Sequence, residues 1–179
     1  MQFGFYLPTH GPMATREPLL KIASHGEALG FDSMVAGDHV IAPIDPKSQY
    51  PYSVTSEVPW DEDGEHLEMI SELAFLAGVT ENTSLVTSVL IVPHRNPVLT
   101  AKMLSTVDVL SGGRLIVGVG VGWLEEEFQA LDTPSSDAEY RAPWKQAPPE
   151  PRRLWMAPSW SSLAPAFPAY RTGSDGVGV

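Results

Sequence analysis

Short apolar runs alternate with longer amphipathic segments along most of the chain, and this alternation predicts the secondary structure. The apolar runs predict strands at residues 3–7, 31–36, 84–92 and 115–119. Apolar residues at helical spacing predict helices at about 15–30, 64–78 and 96–113, and a fourth helix over about 123–131. Strands that alternate with helices are typical of a parallel α/β fold. The pattern alone leaves open whether the sheet is doubly wound or closes into a (β/α)8 barrel.

The alternation stops near Pro134, and the composition changes there. Residues 135–179 contain seven prolines and no isoleucine, and proline at this density interrupts helices and sheets. Residues 1–134 carry 6 basic and 18 acidic side chains, a net charge of −12, whereas residues 135–179 carry 5 and 4, a net charge of +1. We therefore predict a folded body over 1–134. The tail over 135–179 is predicted to be out of frame or disordered, or else a proline-rich extension that wraps the body.

Composition excludes several classes of function. The formal net charge of −11 argues against nucleic acid or an anionic membrane as the main partner. No apolar run is long enough to cross a membrane, and the first residues do not form a signal peptide. The chain has no cysteine, which excludes disulfides and thiol chemistry and makes the cytoplasm the expected location.

Histidines follow three of the four predicted strands, where parallel α/β folds collect their ligands. His39 is the strongest candidate because Asp38 beside it could fix its tautomer, so that it could move a proton or hydrogen-bond a cofactor ring. The alternative is that Asp38 caps a helix and His39 is an ordinary loop residue. His10, His94 and Arg95 are weaker candidates.

Other polar residues are assigned to structure. His25 and His66 fall within predicted helices. The acidic residues at 61–63 and 65 are predicted to form a solvated start of the second helix, which suits the helix dipole. We predict no metal site.

A glycine-rich stretch follows the fourth strand, where Gly118, Gly120 and Gly122 alternate with valines. This GxGxG spacing differs from the GxGxxG of dinucleotide-binding proteins, and no GK[ST] follows it. Glycine lets a backbone approach a ligand or a neighbouring strand closely. Both interpretations remain open at this point.

Three longer stretches together resemble one protein family. They are FGFYLPTHG at 3–11, EALGFDSMVAGDHV at 27–40, and TSVLIVPHRNPVLTAKMLSTVDVLSGGRLIVGVGVGWLEEEF at 87–128. The chain resembles the bacterial luciferase-like monooxygenases over about residues 1–134, and especially their relatives that use the deazaflavin coenzyme F-420. The resemblance implies a TIM (β/α)8-barrel fold, of which four βα units would form the first half. An open half-barrel has unpaired strand edges, so self-association or a homodimer is expected.

The resemblance also implies roles for particular residues. His39, with Asp38, matches the histidine that lies beside the flavin or deazaflavin ring. Ser88 and Val89 match a bulge in strand three that backs the ring, often with a non-prolyl cis peptide. Gly120, Val121 and Gly122 match the mouth of strand four, near the cofactor. Trp123 stands where the sugar-phosphate dehydrogenase relatives carry an acidic glutamate, and the glutamates at 125–127 are not obvious replacements.

The function implied is that of an oxidoreductase that uses coenzyme F-420 or, as the alternative, FMN. Such an enzyme transfers a hydride or adds oxygen to a small organic substrate, with His39 as the catalytic residue. Residues Asp38, His39, Ser88, Val89, Gly120, Val121 and Gly122 would bind the cofactor. The competing hypothesis is a truncated, inactive chain, or a half-barrel that needs a complementary partner.

Overall fold

A computed structural model describes residues 1–44, 46–50 and 65–133. Within these ranges the strands are β1 (Gly4–Tyr6), β2 (His10–Gly11), β3 (Ser33–Ala36), β4 (Glu65–His66), β5 (Ser84–Ile91) and β6 (Leu115–Gly120). The α-helices of the same ranges are α1 (Arg16–Ala28), α2 (Met69–Ala77), α3 (Pro97–Leu110) and α4 (Glu125–Ala130). The predicted tail at 135–179 and the acidic residues at 61–63 lie outside the described residues.

The main sheet has four parallel strands in the order β1-β3-β5-β6, which is also their order along the chain. Right-handed crossovers between strands that always step in the same direction place their helices on one face. A doubly wound sheet reverses direction at a switch point, and no reversal occurs among these strands. The described residues therefore have the architecture of part of a (β/α)8 barrel, which the pattern left open and the family resemblance implied.

The core lies between this sheet and its helices. Its fully buried side chains come from β3, from β5 on both sides of its irregular register, and from one face of α2; they include Met34, Leu85, Leu90, Met69, Leu73 and Leu76. Gly26 of α1 lies so close to the ring of Phe5 that a Cβ there would overlap it. This contact brings α1 onto the first strand.

Helices α2 and α3 each begin after a residue whose side chain accepts backbone N–H groups of the first turn and so caps the helix. Asn96 accepts from the backbone N–H groups of Val98 and Leu99 and caps α3, with Pro97 in the first position, as predicted. The predicted first residue of α2 was wrong. Glu68 caps it through Ser71 N–H, and the helix begins at Met69 rather than near Gly64.

The residues before α2 form a short ladder instead of a helical turn. β4 pairs antiparallel with β2, with His66 opposite His10 and Glu65 opposite Gly11. Leu67 N–H donates to the carbonyl of Thr9, which extends this pairing. The assignment of His66 to a helix is therefore wrong, because its backbone belongs to the ladder. Glu65 likewise lies in β4 and not in a helix start.

No helix among the described residues has both the length and the apolar character that spanning a bilayer requires.

Candidate functional site

The seven residues predicted to bind the cofactor line one cavity at the carboxyl ends of the main strands. They come from three separate places in the sequence: Asp38 and His39 after β3, Ser88 and Val89 in β5, and Gly120, Val121 and Gly122 at the end of β6. The cavity has a volume of about 720 Å³. A space of this size is in the usual range for small-molecule and cofactor sites.

A bulge in β5 forms one wall of the cavity. The register between β5 and β6 shifts between Thr87 and Leu90, and the peptide bond between Ser88 and Val89 is cis. Both features match what the resemblance implied for strand three. The Ser88 hydroxyl lies 3.1 Å from the hydroxyl of Tyr6, which joins the bulge to the first strand. Val89 is 42% exposed and presents an apolar surface to the cavity.

The three glycines in and just after β6 are all closely packed against neighbouring strands or side chains, and two of them also line the cavity. A Cβ at Gly118 would lie 2.6 Å from the carbonyl oxygen of Thr87, so this glycine is required by strand packing. Gly120 packs against the Val89 side chain and also lines the cavity. Gly122 has a φ of +80°, which favours glycine. A Cβ at Gly122 would also lie 2.8 Å from the Phe128 ring and 2.9 Å from the Ile91 side chain, so the last two glycines are closely packed and also line the cavity beside Val121.

His39 is held by a carboxylate from the far end of the described sequence. Its Nδ1 lies 3.0 Å from Oε2 of Glu127, a fully buried residue of α4. The other carboxylate oxygen of Glu127 accepts the backbone N–H groups of Val40, at 2.5 Å, and Ile41, at 3.1 Å. One side chain thus fixes both the imidazole and the loop that carries it.

The charge state of Glu127 decides the tautomer of His39. Burial acts to raise the pKa of the Glu127 carboxyl, but the hydrogen bond with His39, the nearby imidazoles and the Ile41 backbone together hold it below its usual value. The carboxylate is therefore ionised near neutral pH and can only accept hydrogen bonds. Nδ1 of His39 must then carry a hydrogen, so in the neutral imidazole Nε2 is the nitrogen that has the acceptor lone pair.

Asp38 does not set this tautomer and does not cap a helix, contrary to both alternatives drawn from the sequence. Its carboxylate receives two hydrogen bonds from Arg95, at 2.7 and 2.6 Å, and one from the backbone N–H of Ile91. Arg95 also donates to Glu68, at 2.9 Å. This ion-pair network, Asp38–Arg95–Glu68, ties the ends of β3 and β5 to the start of α2.

The remaining histidines take different places. His94 is buried behind the cavity, with its ring edge against Phe128 and its Nδ1 3.6 Å from Oε1 of Glu127. Burial lowers the pKa of His94, against the charges of Glu127 and Asp38. His10 and His66 both line the cavity, whereas His25 lies exposed on α1.

Two aromatic residues that the sequence did not single out as ligand contacts complete the wall. The rings of Tyr50 and Trp123 lie 5.2 Å apart at 61°, and His39 meets Trp123 edge-on at 6.2 Å. Both line the cavity. Within the described ranges, no three histidine, cysteine or carboxylate side chains are arranged to hold a metal ion.

Comparisons with known proteins show which family the chain resembles. The family profile described as luciferase-like monooxygenase matches residues 1–146. An F420-dependent glucose-6-phosphate dehydrogenase of Kribbella flavida is 30% identical over 84% of this chain and 41% of its own length. An FMNH2-dependent dimethylsulfone monooxygenase of Pseudomonas putida is 32% identical over 56% of this chain and 29% of its own length.

A solved structure shares the fold. The monooxygenase RslO1 from Streptomyces bottropensis superposes with a TM-score of 0.56 and 26% identity, over 81% of this chain and 40% of that one. The chain spans 62% of the length of one curated relative that it matches, and 41% and 29% of the two enzymes named above.

Proposed function

Because this chain belongs to the luciferase-like monooxygenase family, we propose that it forms the cofactor-ring side of a flavin- or deazaflavin-dependent oxidoreductase that acts on a small organic substrate. The observation that carries the proposal is the cavity at the strand ends. Its seven predicted residues converge there from positions as far apart as 38 and 122. Convergence at the carboxyl ends of barrel strands is the usual arrangement of active sites in this fold.

The wall suits a flat ring. Gly120 and Gly122 contribute no side chains, and the exposed side chains of Val89 and Val121 offer an apolar surface beside them. We propose coenzyme F-420 as the cofactor and FMN as the alternative, since the relatives include enzymes named for each. When bound, either ring would supply the redox chemistry, namely hydride transfer or, with FMN, activation of oxygen.

The residues of this chain would bind, orient and move a proton. Nε2 of His39 would accept or return a proton at the ring or the substrate, while Glu127 keeps its Nδ1 protonated and its plane fixed. Tyr50 and Trp123 would exclude water from one side of the cavity. Trp123 replaces the acid of the sugar-phosphate dehydrogenase relatives, so a different substrate class is proposed. Residence in the cytoplasm remains a prediction from the sequence.

The test is a fluorescence titration of the purified chain with coenzyme F-420 and with FMN, each oxidised and reduced. We expect saturable binding of at least one of them, weakened about fivefold or more in His39→Ala, because hydrogen bonds of this kind contribute about 1 kcal/mol. His25→Ala, on exposed α1, is the matched control and should bind as the original chain does. Absence of saturable binding in every arm would contradict the proposal.

A second candidate is a half-barrel that is inactive alone and needs a complementary partner or a second copy. It is favoured by the two edges of the described sheet, β1 and β6, and by interior-facing side chains such as Tyr6 and Ile116 that are more than half exposed. Sedimentation velocity over a range of concentrations tests this candidate. A strictly monomeric chain that binds cofactor would overturn it.

A further inference from the structure

Two hydroxyl groups from separate strands meet inside the cavity. The side chains of Tyr6, at the end of β1, and Ser88, in the bulge of β5, lie with their oxygens 3.1 Å apart, and both residues line the cavity. β3 lies between these two strands in the sheet, so the contact reaches across a strand. Because Tyr6 is 69% exposed, a ligand in the cavity can reach the pair.

The hydrogen count of this pair leaves one donor unused. Each hydroxyl carries one hydrogen, and the contact between the two oxygens uses only one of them, whichever oxygen donates. Among the described residues, neither hydroxyl makes another hydrogen bond. The second hydrogen is therefore available to a ligand. The hydrogen bond within the pair also strengthens it as a donor, because linked hydrogen bonds polarise one another.

The charges around the cavity favour a neutral ligand. No lysine or arginine is among the described lining residues, so an anion would find no permanent cation there. Asp38 is the one carboxylate of that described lining, and Arg95 binds both of its oxygens, so a cation would find no free carboxylate. Burial lowers the pKa of His66, which keeps this imidazole mostly neutral near pH 7.

Apolar side chains share the cavity with the hydroxyl pair. Val89 follows Ser88 in the bulge, and the exposed side chains of Val119 and Val121 line the same space. A ligand with an apolar body and one uncharged oxygen would bury apolar surface and accept the available hydrogen at the same time. A ketone or aldehyde has this chemistry, since its carbonyl oxygen can only accept hydrogen bonds.

We propose that Tyr6 and Ser88 form a subsite that donates a hydrogen bond to the carbonyl oxygen of a neutral ketone or aldehyde. That this carbonyl compound is the substrate rests on the proposed function. Because Ser88 and Val89 share a peptide bond, the subsite lies next to the wall proposed to hold the ring. The pair would select and position the substrate, and the redox chemistry would stay with the cofactor.

The first experiment uses the full chain without cofactor. The probe is cyclopentanone labelled with ¹³C at its carbonyl, and the backbone amide signals of Val89 and Gly120 report its binding by NMR. A ketone carbon that loses its hydrogen bonds in apolar surroundings moves upfield from its position in water. We expect saturable amide shifts and a bound carbonyl signal at or downfield of its position in water. An upfield bound signal, or amide shifts that do not saturate, would overturn the subsite.

Variants show whether these two hydroxyls are the donors. Tyr6→Phe and Ser88→Ala each leave one hydroxyl that can still donate, so each should weaken ketone binding only about two- to threefold. The double variant has neither donor and should lose about fivefold or more, with its residual bound carbonyl signal upfield. Ser24→Ala is the control, because it removes a hydroxyl on exposed α1 that donates to the carbonyl of Lys21, and it should change nothing.

Thermal unfolding checks that each variant is folded. A folded double variant that binds the ketone as the original chain does would overturn the proposal. If the double variant does not fold, the position of the bound carbonyl signal in the original chain decides the question.

Failure of the subsite and failure of the proposed function give different results. A chain that binds cyclopentanone through the pair, but neither coenzyme F-420 nor FMN, keeps the subsite and loses the proposed function. A chain that binds a cofactor, but holds the ketone with its carbonyl signal upfield, keeps the proposed function and loses the subsite.

Discussion

The Oε2 atom of Glu127 lies 3.0 Å from Nδ1 of His39, although 88 positions separate the two residues. The pairing joins the mouth of β3 to the first turn of α4. The pairing also gives His39 a defined tautomer. Proton transfer at a fixed atom requires such a tautomer.

Glu127→Gln should disturb His39 without emptying the cavity. The amide oxygen can still accept the backbone N–H groups of Val40 and Ile41, but the side chain lacks the charge that holds Nδ1 protonated. We expect the ¹⁵N shifts of His39 to move toward a mixture of tautomers and affinity for the ring to fall about fivefold. Glu125→Gln, on the exposed side of the same turn, is the control. An unchanged His39 spectrum in a folded Glu127→Gln chain would contradict this role.

Arg95→Met should destabilise the chain strongly. It leaves the Asp38 carboxylate buried without its cation, and breaking a buried pair in this way costs about 3–5 kcal/mol. Urea unfolding measures the loss as a lower midpoint. Glu68→Gln is the comparison, since the Glu68 side chain is one-third exposed and should cost about 1 kcal/mol or less. Equal losses in the two variants would show that Asp38 does not depend on Arg95.

Gly118→Ala tests whether this glycine is needed for strand packing. A Cβ there meets the backbone carbonyl of Thr87, which cannot move without breaking the β5–β6 pairing, so about 1–3 kcal/mol of stability should be lost. Gly78→Ala is matched to it, because its Cβ would meet the nearest atom at an ordinary 3.6 Å. Thermal unfolding of both variants provides the measurement, and a Gly118→Ala chain as stable as Gly78→Ala would refute the packing argument.

Glu72 makes the stability depend on pH. Burial first, and then the charge of Glu68, raise the pKa of Glu72 from 4.5 to about 7, and neither of its carboxylate oxygens has a hydrogen-bond partner among the described residues. The folded chain therefore holds a proton that the unfolded chain releases. Stability falls as pH rises from about 4.5 to about 7 and then levels off, with a total loss of up to about 3 kcal/mol.

Glu72→Gln removes that ionisation and should raise the unfolding temperature at pH 8 while changing little at pH 4.5. Glu17→Gln, on exposed α1, should leave the pH profile as it is. If the unfolding temperatures of the original chain and of Glu72→Gln changed equally between these two pH values, the raised pKa of Glu72 would be contradicted.

The sequence predicts the strands and the candidate wall because those features are local. Apolar runs bounded by glycine and proline mark β3, β5 and β6, and parallel strands bring their carboxyl ends to one edge wherever the fold is α/β. The sequence pattern therefore places His39 and Gly120 at the same edge, whereas Ser88, which lies inside β5, was placed beside them only by the family resemblance.

The parts that could not be predicted depend on long-range contacts. Three consecutive glutamates at the start of α4 suit the helix dipole equally well, and the fold alone decides that Glu127 is the one that turns inward. The β2–β4 ladder is two residues long, too short to show a period of its own. For that reason the sequence pattern wrongly predicted a helix at His66.

The order of the sheet gives its strands unequal resistance to local opening. β3 and β5 are paired on both sides, whereas β6 lies at an edge of the described sheet and is held by β5 alone. Edge segments exchange their amide hydrogens through small local openings, well before the whole domain unfolds. The wall that contains Gly120 therefore lies on one of the two edge strands of the described sheet, β1 being the other, and we expect both to open before β3 and β5. A ring stacked against it would be visible as slowed amide exchange in β6, even where it changes nothing in β3.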